Sequence, residues 1–371
     1  MNENENCRCS HCGNVIEGEN FHIVNREIYC ENCYQNETVT CAECGTRIPW
    51  EDNAGCVELP LCRDCYNDHY TICQSCGRII RQENACYHDE YDEDSAYCEN
   101  CFDEDGEYIH EYGYKPSPIF HGFGTRFFGV ELEIDNGGKL SSNAKIILDA
   151  ENVDGENIYI KSDNSLDDGM EIVTHPMTLN YHKYDMPWLE VLNRALELKY
   201  LSHKTSTCGL HVHVNRSTFG DTCEEQEDAI SRVLYFVEHH WNELLKFSRR
   251  TEEQMNSWSA RYGYKNNPKD ILKHAKDECG SRYTCVNLTN YDTVEFRMFR
   301  GTLKYNTLIA TLELVDMICE IAVDLSDEEL QKVSWSEFVL GLDECDYREL
   351  ITYLKERQLY VNSPVSGEDD E

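Results

Sequence analysis

Six CxxC pairs within the first 101 residues constrain this chain more than any other feature. They are Cys9/Cys12, Cys30/Cys33, Cys41/Cys44, Cys62/Cys65, Cys73/Cys76 and Cys98/Cys101. Fifteen of the 21 cysteines lie in that stretch, and the other six are scattered over 270 residues. The pairs group into three units that open at 9, 41 and 73, 32 residues apart, so the stretch is an internal repeat. Each unit opens with CxxCG, ending at Gly13, Gly45 and Gly77, and closes with CxxC plus an aromatic, Tyr34, Tyr66 or Phe102. Glycine permits a tight turn that points amides at thiolates. The second pair of each unit is expected to open a short helix, whose N-terminal amides favour anionic sulfur.

Units of this size bury too little surface to fold alone. Four thiolates hold zinc tetrahedrally without redox chemistry. In model peptides such a site supplies roughly 10–16 kcal/mol, which becomes folding energy. The expectation is three structural zinc ions on the twelve paired cysteines, in modules at about 7–37, 38–69 and 70–105 of a domain spanning 1–105. The arrangement resembles treble-clef or LIM-like zinc modules, except that seven residues separate Cys33 from Cys41. A disulfide framework is the alternative. The opening MNENENCRCS has neither the basic patch nor the apolar stretch of a secretory signal, which favours reduced cysteines and a cytoplasmic protein. Cys7, Cys56 and Cys86 fall outside the pattern, and Cys7 could replace Cys9 by a register slip.

Charge narrows the partners. Lys plus Arg number 33 against 70 Asp plus Glu, a formal net charge of −37. Such a surface repels phosphate backbones, so nucleic acid is not expected as a partner. No apolar run approaches the roughly 20 residues of a membrane span. Six arginines and no lysine face 25 acids up to Tyr112. The modules therefore read as docking sites for a peptide or protein, or as spacers that stabilise the chain. Oligomeric state is not legible.

Residues 106–126 contain Pro116, Pro118 and the glycines Gly113, Gly122 and Gly124 and read as an extended linker. Beyond it strands and helices mix, giving an α+β domain over 127–361. The acidic tail 362–371 reads as disordered.

Four segments of that domain alternate a solid apolar face with a charged one. In FFGVELEID, Phe128, Val130, Leu132 and Ile134 share one side, and Glu131, Glu133 and Asp135 the other. In SLDDGMEIVTHPM, Glu171 and Val173 share a face. In CGLHVHVN, His211, His213 and Asn215 oppose Leu210, Val212 and Val214. In TVEFRMFRGT, Glu295 and Arg297 oppose Val294, Phe296 and Met298. Each segment alone is unspecific. Together they place carboxylates close enough to repel unless divalent cations lie between them. Hard oxygen donors suit magnesium or manganese rather than zinc, and arginines in the same field suit a phosphate-bearing ligand.

The order of an ExE strand, GxE, GLHVHV and VEFR resembles the amidoligase family, a branch of the carboxylate–amine ligases that includes glutamine synthetase and glutamate–cysteine ligase. The resemblance covers roughly 125–325. It implies a curved antiparallel sheet with packed helices, holding ATP and two or three magnesium ions, and amide formation through an acyl phosphate. By motif, it makes Glu131, Glu133, Glu171, His211 and Glu295 metal ligands. His213, Arg297 and Asn287 would bind ATP. Arg297 and Arg300 would act on the phosphoryl group. Asp163 in KSDNS would meet the substrate or help deprotonate the amine, or else is a turn residue.

The remainder reads as scaffold. Helices are expected from Pro187, over 224–247, over 306–325 and over 346–360. His239 and His240 read as packing or surface residues, Cys319 as a core thiol, and the basic stretch 259–270 as a surface loop or a loop of the site. The leading functional expectation is an ATP-dependent ligase whose zinc array recruits a peptide, protein or small amino-acid substrate. The alternatives are a non-catalytic adaptor with a degenerate ligase-like domain, and a metal-dependent hydrolase built on HxH.

Overall fold

The computed structural model describes residues 7–18, 20–74, 76–87, 96–104, 108–150, 156–205, 207–277 and 282–360. The expected acidic tail 362–371 and Cys279 lie outside them. The chain divides into two compact units: 1–106 with 140–142, and 107–139 with 143–371.

The smaller unit repeats one local design three times. In each CxxCG the first cysteine's amide donates to the carbonyl just beyond the glycine, Cys9 to Asn14 at 2.9 Å, Cys41 to Thr46 at 2.8 Å and Cys73 to Arg78 at 2.9 Å. The glycine amide then closes back on the first cysteine's carbonyl. Gly13, Gly45 and Gly77 have φ of 72°, 72° and 68°, the left-handed region that a β-carbon resists. The second pairs open the helices Glu31–Asn36, Arg63–His69 and Glu99–Glu104, with Cys30 and Cys62 as N-caps. Each set of four sulfurs forms one cluster: Cys9/Cys12/Cys30/Cys33, Cys41/Cys44/Cys62/Cys65 and Cys73/Cys76/Cys98/Cys101. The Sγ–Sγ distances are 3.8 Å for Cys12–Cys30, 3.8 Å for Cys44–Cys62 and 3.9 Å for Cys76–Cys98. Sulfurs at 2.3 Å from a tetrahedral zinc lie about 3.8 Å apart, whereas a disulfide needs about 2.05 Å. The three clusters therefore fit zinc and not disulfides. Next to one of them, the side chain and backbone of Thr46 lower the Cys44 thiol to about 6, which favours the thiolate a metal needs.

The larger unit is built on a seven-stranded sheet. Its strands are β1 (Ile109–His110), β2 (Phe128–Ile134), β3 (Ile158–Lys161), β4 (Met170–Thr174), β5 (Gly209–Asn215), β6 (Val286–Asn287) and β7 (Thr293–Arg300). Their order is β6-β7-β5-β2-β4-β3-β1. Neighbours are antiparallel except β1 and β3, so the sheet is mixed and not purely antiparallel as expected. The parallel strand comes from the stretch read as a linker. Ile109 and His110 pair with Ile160 and Lys161, and His121 bridges Met177. The stretch is thus held against the sheet at both of these points.

The apolar faces predicted from alternation are buried: Phe128, Val130, Leu132, Ile134, Leu210, Val212, Val214, Val294, Phe296 and Met298 all belong to one core. Helices cover that face. The helix Tyr305–Asp324 is apolar on most sides and is correspondingly sunk in the core, with Cys319 buried among its neighbours. The expected helix over 224–247 is two helices, Cys223–His239 and Trp241–Ser248, broken at His240. His240 is buried against Phe236 and Trp335, a packing residue that lets the second helix change direction.

His182 ties the helix Leu179–Tyr184 to β2. Its Nε2 lies 3.1 Å from the Phe128 carbonyl, and its Nδ1 accepts from Trp188 Nε1 at 3.2 Å. That pairing uses the neutral ring, and burial lowers its pKa to about 4. An unfolded histidine takes up a proton near 6.5 while the folded one does not, so stability is lost as pH falls from 6.5 through 4. At pH 5 the loss is about 2 kcal/mol. Urea unfolding at pH 7 and pH 5 should show a difference smaller by about that amount in His182→Gln than in the wild type. Equal pH dependence in both proteins would refute the assignment.

Candidate active site

Register decides which charged residues meet. Asn287 pairs with Glu295 and Glu295 with His213; His211 pairs with Glu131; Glu133 pairs with Glu171 and Glu171 with Lys161. Three rows on one face of the sheet thus bring together groups from β6, β7, β5, β2, β4 and β3. They line a cavity of about 390 Å³. Glu131, Glu133, Glu171, His211, His213, Asn287, Glu295, Arg297 and Asp163, all read from the sequence, face into it.

The distances within this set are informative. His211 Nδ1 is 3.4 Å from Glu131 Oε2 and 3.8 Å from Glu295 Oε1. His213 Nε2 is 3.4 Å from Glu131 Oε1 and 3.8 Å from Glu295 Oε1, and it has no hydrogen-bond partner. Two ligands of a cation with bonds of about 2.1 Å lie about 3 Å apart when adjacent and about 4 Å apart when opposite. Donor atoms of Glu131, His213 and Glu295 lie within 4.8 Å of one another, as do those of Glu131, Glu171 and His211. These mixed carboxylate–imidazole sets fit hard divalent cations, with Glu131 common to both. Each contains one histidine, which does not match the nitrogen-rich site of a zinc hydrolase.

Electrostatics follow from burial and neighbours. Burial would raise the Glu131 carboxyl, but the nearby His213 and the hydrogen bond from His211 hold it well below the ordinary range. Burial likewise acts on Glu295, and His213 and His211 again win, lowering it. Glu171 goes the other way: burial and the charge of Glu131 raise it well above the ordinary value, against the opposing Lys161 at 3.2 Å. Glu133 is raised by burial, with His211 opposing, and one of its oxygens accepts the Gly209 amide. Asn287 and Asn290 donate to Glu295 Oε2 at 2.8 and 3.1 Å, and Arg297 pairs with its other oxygen.

Two residues of the sequence reading end elsewhere. Asp135 turns into the loop before β4, accepting the amides of Asp167 and Asp168 at 3.2 and 2.7 Å. That loop crosses close by at Gly169, where a β-carbon would sit 2.1 Å from the Ile134 carbonyl oxygen. Arg300, read as acting on the phosphoryl group, does not line the cavity. Its guanidinium donates to the carbonyls of Thr205 at 3.1 Å and Arg249 at 3.4 Å. A β-bulge interrupts the pairing of β5 with β7: Leu210 pairs with Phe299 while Val212 pairs with Phe296, so Phe299 joins the apolar face and Arg300 falls opposite Gly209 at the end of the strand, where loop carbonyls take its guanidinium. Asp163 lines the cavity and accepts the Ser165 amide at 2.7 Å as a turn residue does.

Sequence reading missed Lys161, Arg250, Tyr112 and Lys115, which also line the cavity. The alternation of Tyr159 and Lys161 in β3 could have revealed Lys161. Tyr112 and Lys115 lie in the supposed linker, and Arg250 lies just after a helix, so no periodicity marks them. The basic stretch 259–270 stays outside. Glu238 anchors it, accepting the amides of Tyr262 and Gly263 and pairing with Arg261.

Comparison with other proteins bears on this domain. Residues 139–319 match the model of a family described as "Putative amidoligase enzyme". Over those residues, just under half of the chain, the sequence is similar to that family. The match begins after β2, so Glu131 and Glu133 lie outside the matched residues although they belong to the same sheet. No curated protein matches the sequence. Among solved structures, the crystal structure of the complex between the prokaryotic ubiquitin-like protein Pup and its ligase PafA is similar at 8% identity. The likeness covers 66% of this chain and 59% of that one with a TM-score of 0.30, too distant to bear on function. This chain thus spans about 59% of the length of that relative. Among the described residues, no helix is long and apolar enough to cross a membrane.

Proposed function

We propose that the larger unit is an ATP-dependent carboxylate–amine ligase working through an acyl phosphate, and that the zinc modules recruit its peptide, protein or amino-acid substrate. The observation that carries this reading is the convergence of Glu131, Glu171, His211, His213 and Glu295, from four separate strands, on one cavity. The orphaned His213 Nε2 between two carboxylates fits a cation rather than a hydrogen bond. Glu131, Glu133, Glu171, His211, His213 and Glu295 would hold magnesium, which supplies charge neutralisation for phosphoryl transfer.

The chain's own residues then have distinct tasks. Asn287 and Asn290 fix the Glu295 carboxylate, and Lys161 compensates Glu171, so the floor is set before substrate arrives. Arg297 faces the transferring phosphoryl group. A substrate carboxylate oxygen attacks the terminal phosphorus and the bond to ADP breaks. The amine nitrogen attacks the acyl carbon, phosphate leaves with the C–O electron pair, and nitrogen gives up its proton, for which Asp163 is the candidate acceptor.

The test is purified protein with ATP, magnesium and a panel of acids and amines. Steady ADP release that requires both an acid and an amine supports the ligase. ATP binding without turnover on any pair would leave the adaptor, and hydrolysis without ATP the hydrolase.

A further inference from the structure

Arg250 belongs to no motif, yet it is a buried charge of the cavity. It follows the helix Trp241–Ser248, after Arg249, whose φ of 63° turns the chain back toward the sheet. Arg250 is 8% exposed and lines the cavity beside His211. Its Nη2 donates to the Phe299 carbonyl at 3.3 Å, while its Nε has no hydrogen-bond partner. Among the described residues no carboxylate lies within ion-pair distance of it. Arg297, by contrast, pairs with Glu295, although its Nε is also without a hydrogen bond.

The surroundings leave space for this guanidinium rather than neutralise it. A β-carbon on Gly209 would lie 2.8 Å from Arg250 Nη2 and 2.7 Å from His211 Nε2. Glycine at 209 leaves the guanidinium and the imidazole room to share that corner without either shifting. A buried cation with an unused donor is costly unless something anionic completes it. A guanidinium is the side chain best shaped for two oxygens of one anion. The chain carries a formal charge of −37, so acids were plentiful; Glu133 is near enough to act on Arg250, but none of those described forms an ion pair with it.

We propose that Arg250 binds an oxyanion in this cavity, either the terminal phosphoryl group of the nucleotide or a carboxylate of the acid substrate. The proposal deepens the ligase reading, on which only the source of the anion depends. Gly209 keeps the corner open, and Arg297 faces the same anion from β7.

The experiment uses the zinc-loaded full chain with magnesium and titrates a non-hydrolysable ATP analogue, ADP and glutarate by calorimetry. Arg250→Met should weaken binding of one anion by about tenfold or more, with Arg250→Lys intermediate. Loss confined to the ATP analogue, with ADP unchanged, assigns the terminal phosphoryl group. Loss confined to glutarate assigns the substrate carboxylate. Gly209→Ala should weaken the same probe, which keeps the test open should Arg250→Met fail to fold. Wild-type affinity for all three probes in a folded Arg250→Met or Arg250→Lys protein overturns the proposal, as does a wild type that binds none of them. A wild type that binds glutarate but no nucleotide would end the ATP reading while leaving Arg250 testable on the carboxylate.

Discussion

Replacing Glu131 by alanine should abolish ligase turnover, by about a thousandfold or more, while the larger unit stays folded. Glu131 is the residue shared by both candidate cation sets, one with His213 and Glu295, the other with Glu171 and His211. Its removal takes a donor from each and leaves His213 and His211 facing fewer charges. Loss of a metal's charge neutralisation, together with its positioning of the phosphoryl group, commonly costs several kcal/mol of transition-state stabilisation. The fold should survive because the strand is held by Phe128, Val130, Leu132 and Ile134 on the other face. The check is twofold. Manganese binding followed by electron paramagnetic resonance should fall with turnover, and the melting transition should not. A variant that keeps turnover would remove Glu131 as a ligand, whatever the fate of the other residues.

The second large effect is on stability. Stripping zinc with a strong chelator should unfold the smaller unit and leave the larger one intact. Each module has few apolar groups to bury; the first gathers Ile16, Val24 and Tyr29 around Cys9 and Cys33, the second Leu61 and Tyr70 around Cys41. Each zinc site is worth roughly 10–16 kcal/mol in model peptides, far more than clusters of that size supply. Metal analysis should return about three zinc per chain, matching the three four-sulfur clusters. A chelated protein whose smaller unit resists protease as before, or a preparation with six disulfides and no zinc, would end the zinc reading. Cys44→Ser should release one equivalent and loosen the middle module alone.

Much of this was legible because it is local. Cysteine spacing, the glycine after each opening pair and the helix after each closing pair are set within a few residues, so the modules could be written from the sequence. Alternation likewise told which side chains of β2, β5 and β7 would share a face, since successive side chains of a strand point to opposite sides. That reading failed where the period failed. The bulge in β7 carried Phe299 to the core and set Arg300 opposite Gly209, at the strand end, where it meets loop carbonyls and not the cavity. Asp135, at the end of its strand, was captured by loop amides.

The sequence by itself determined the repeated four-cysteine units, the apolar faces and the candidate acids and histidines, because turn chemistry and side-chain period act over short stretches. Only the tertiary structure decided that β5 lies between β2 and β7, that β4 and β3 continue the row to Lys161, and that Arg250 and the stretch around Tyr112 close the cavity. Strand pairing is chosen by the burial of distant segments against one another, and a residue such as Arg250 reaches the site along a path that no local pattern records.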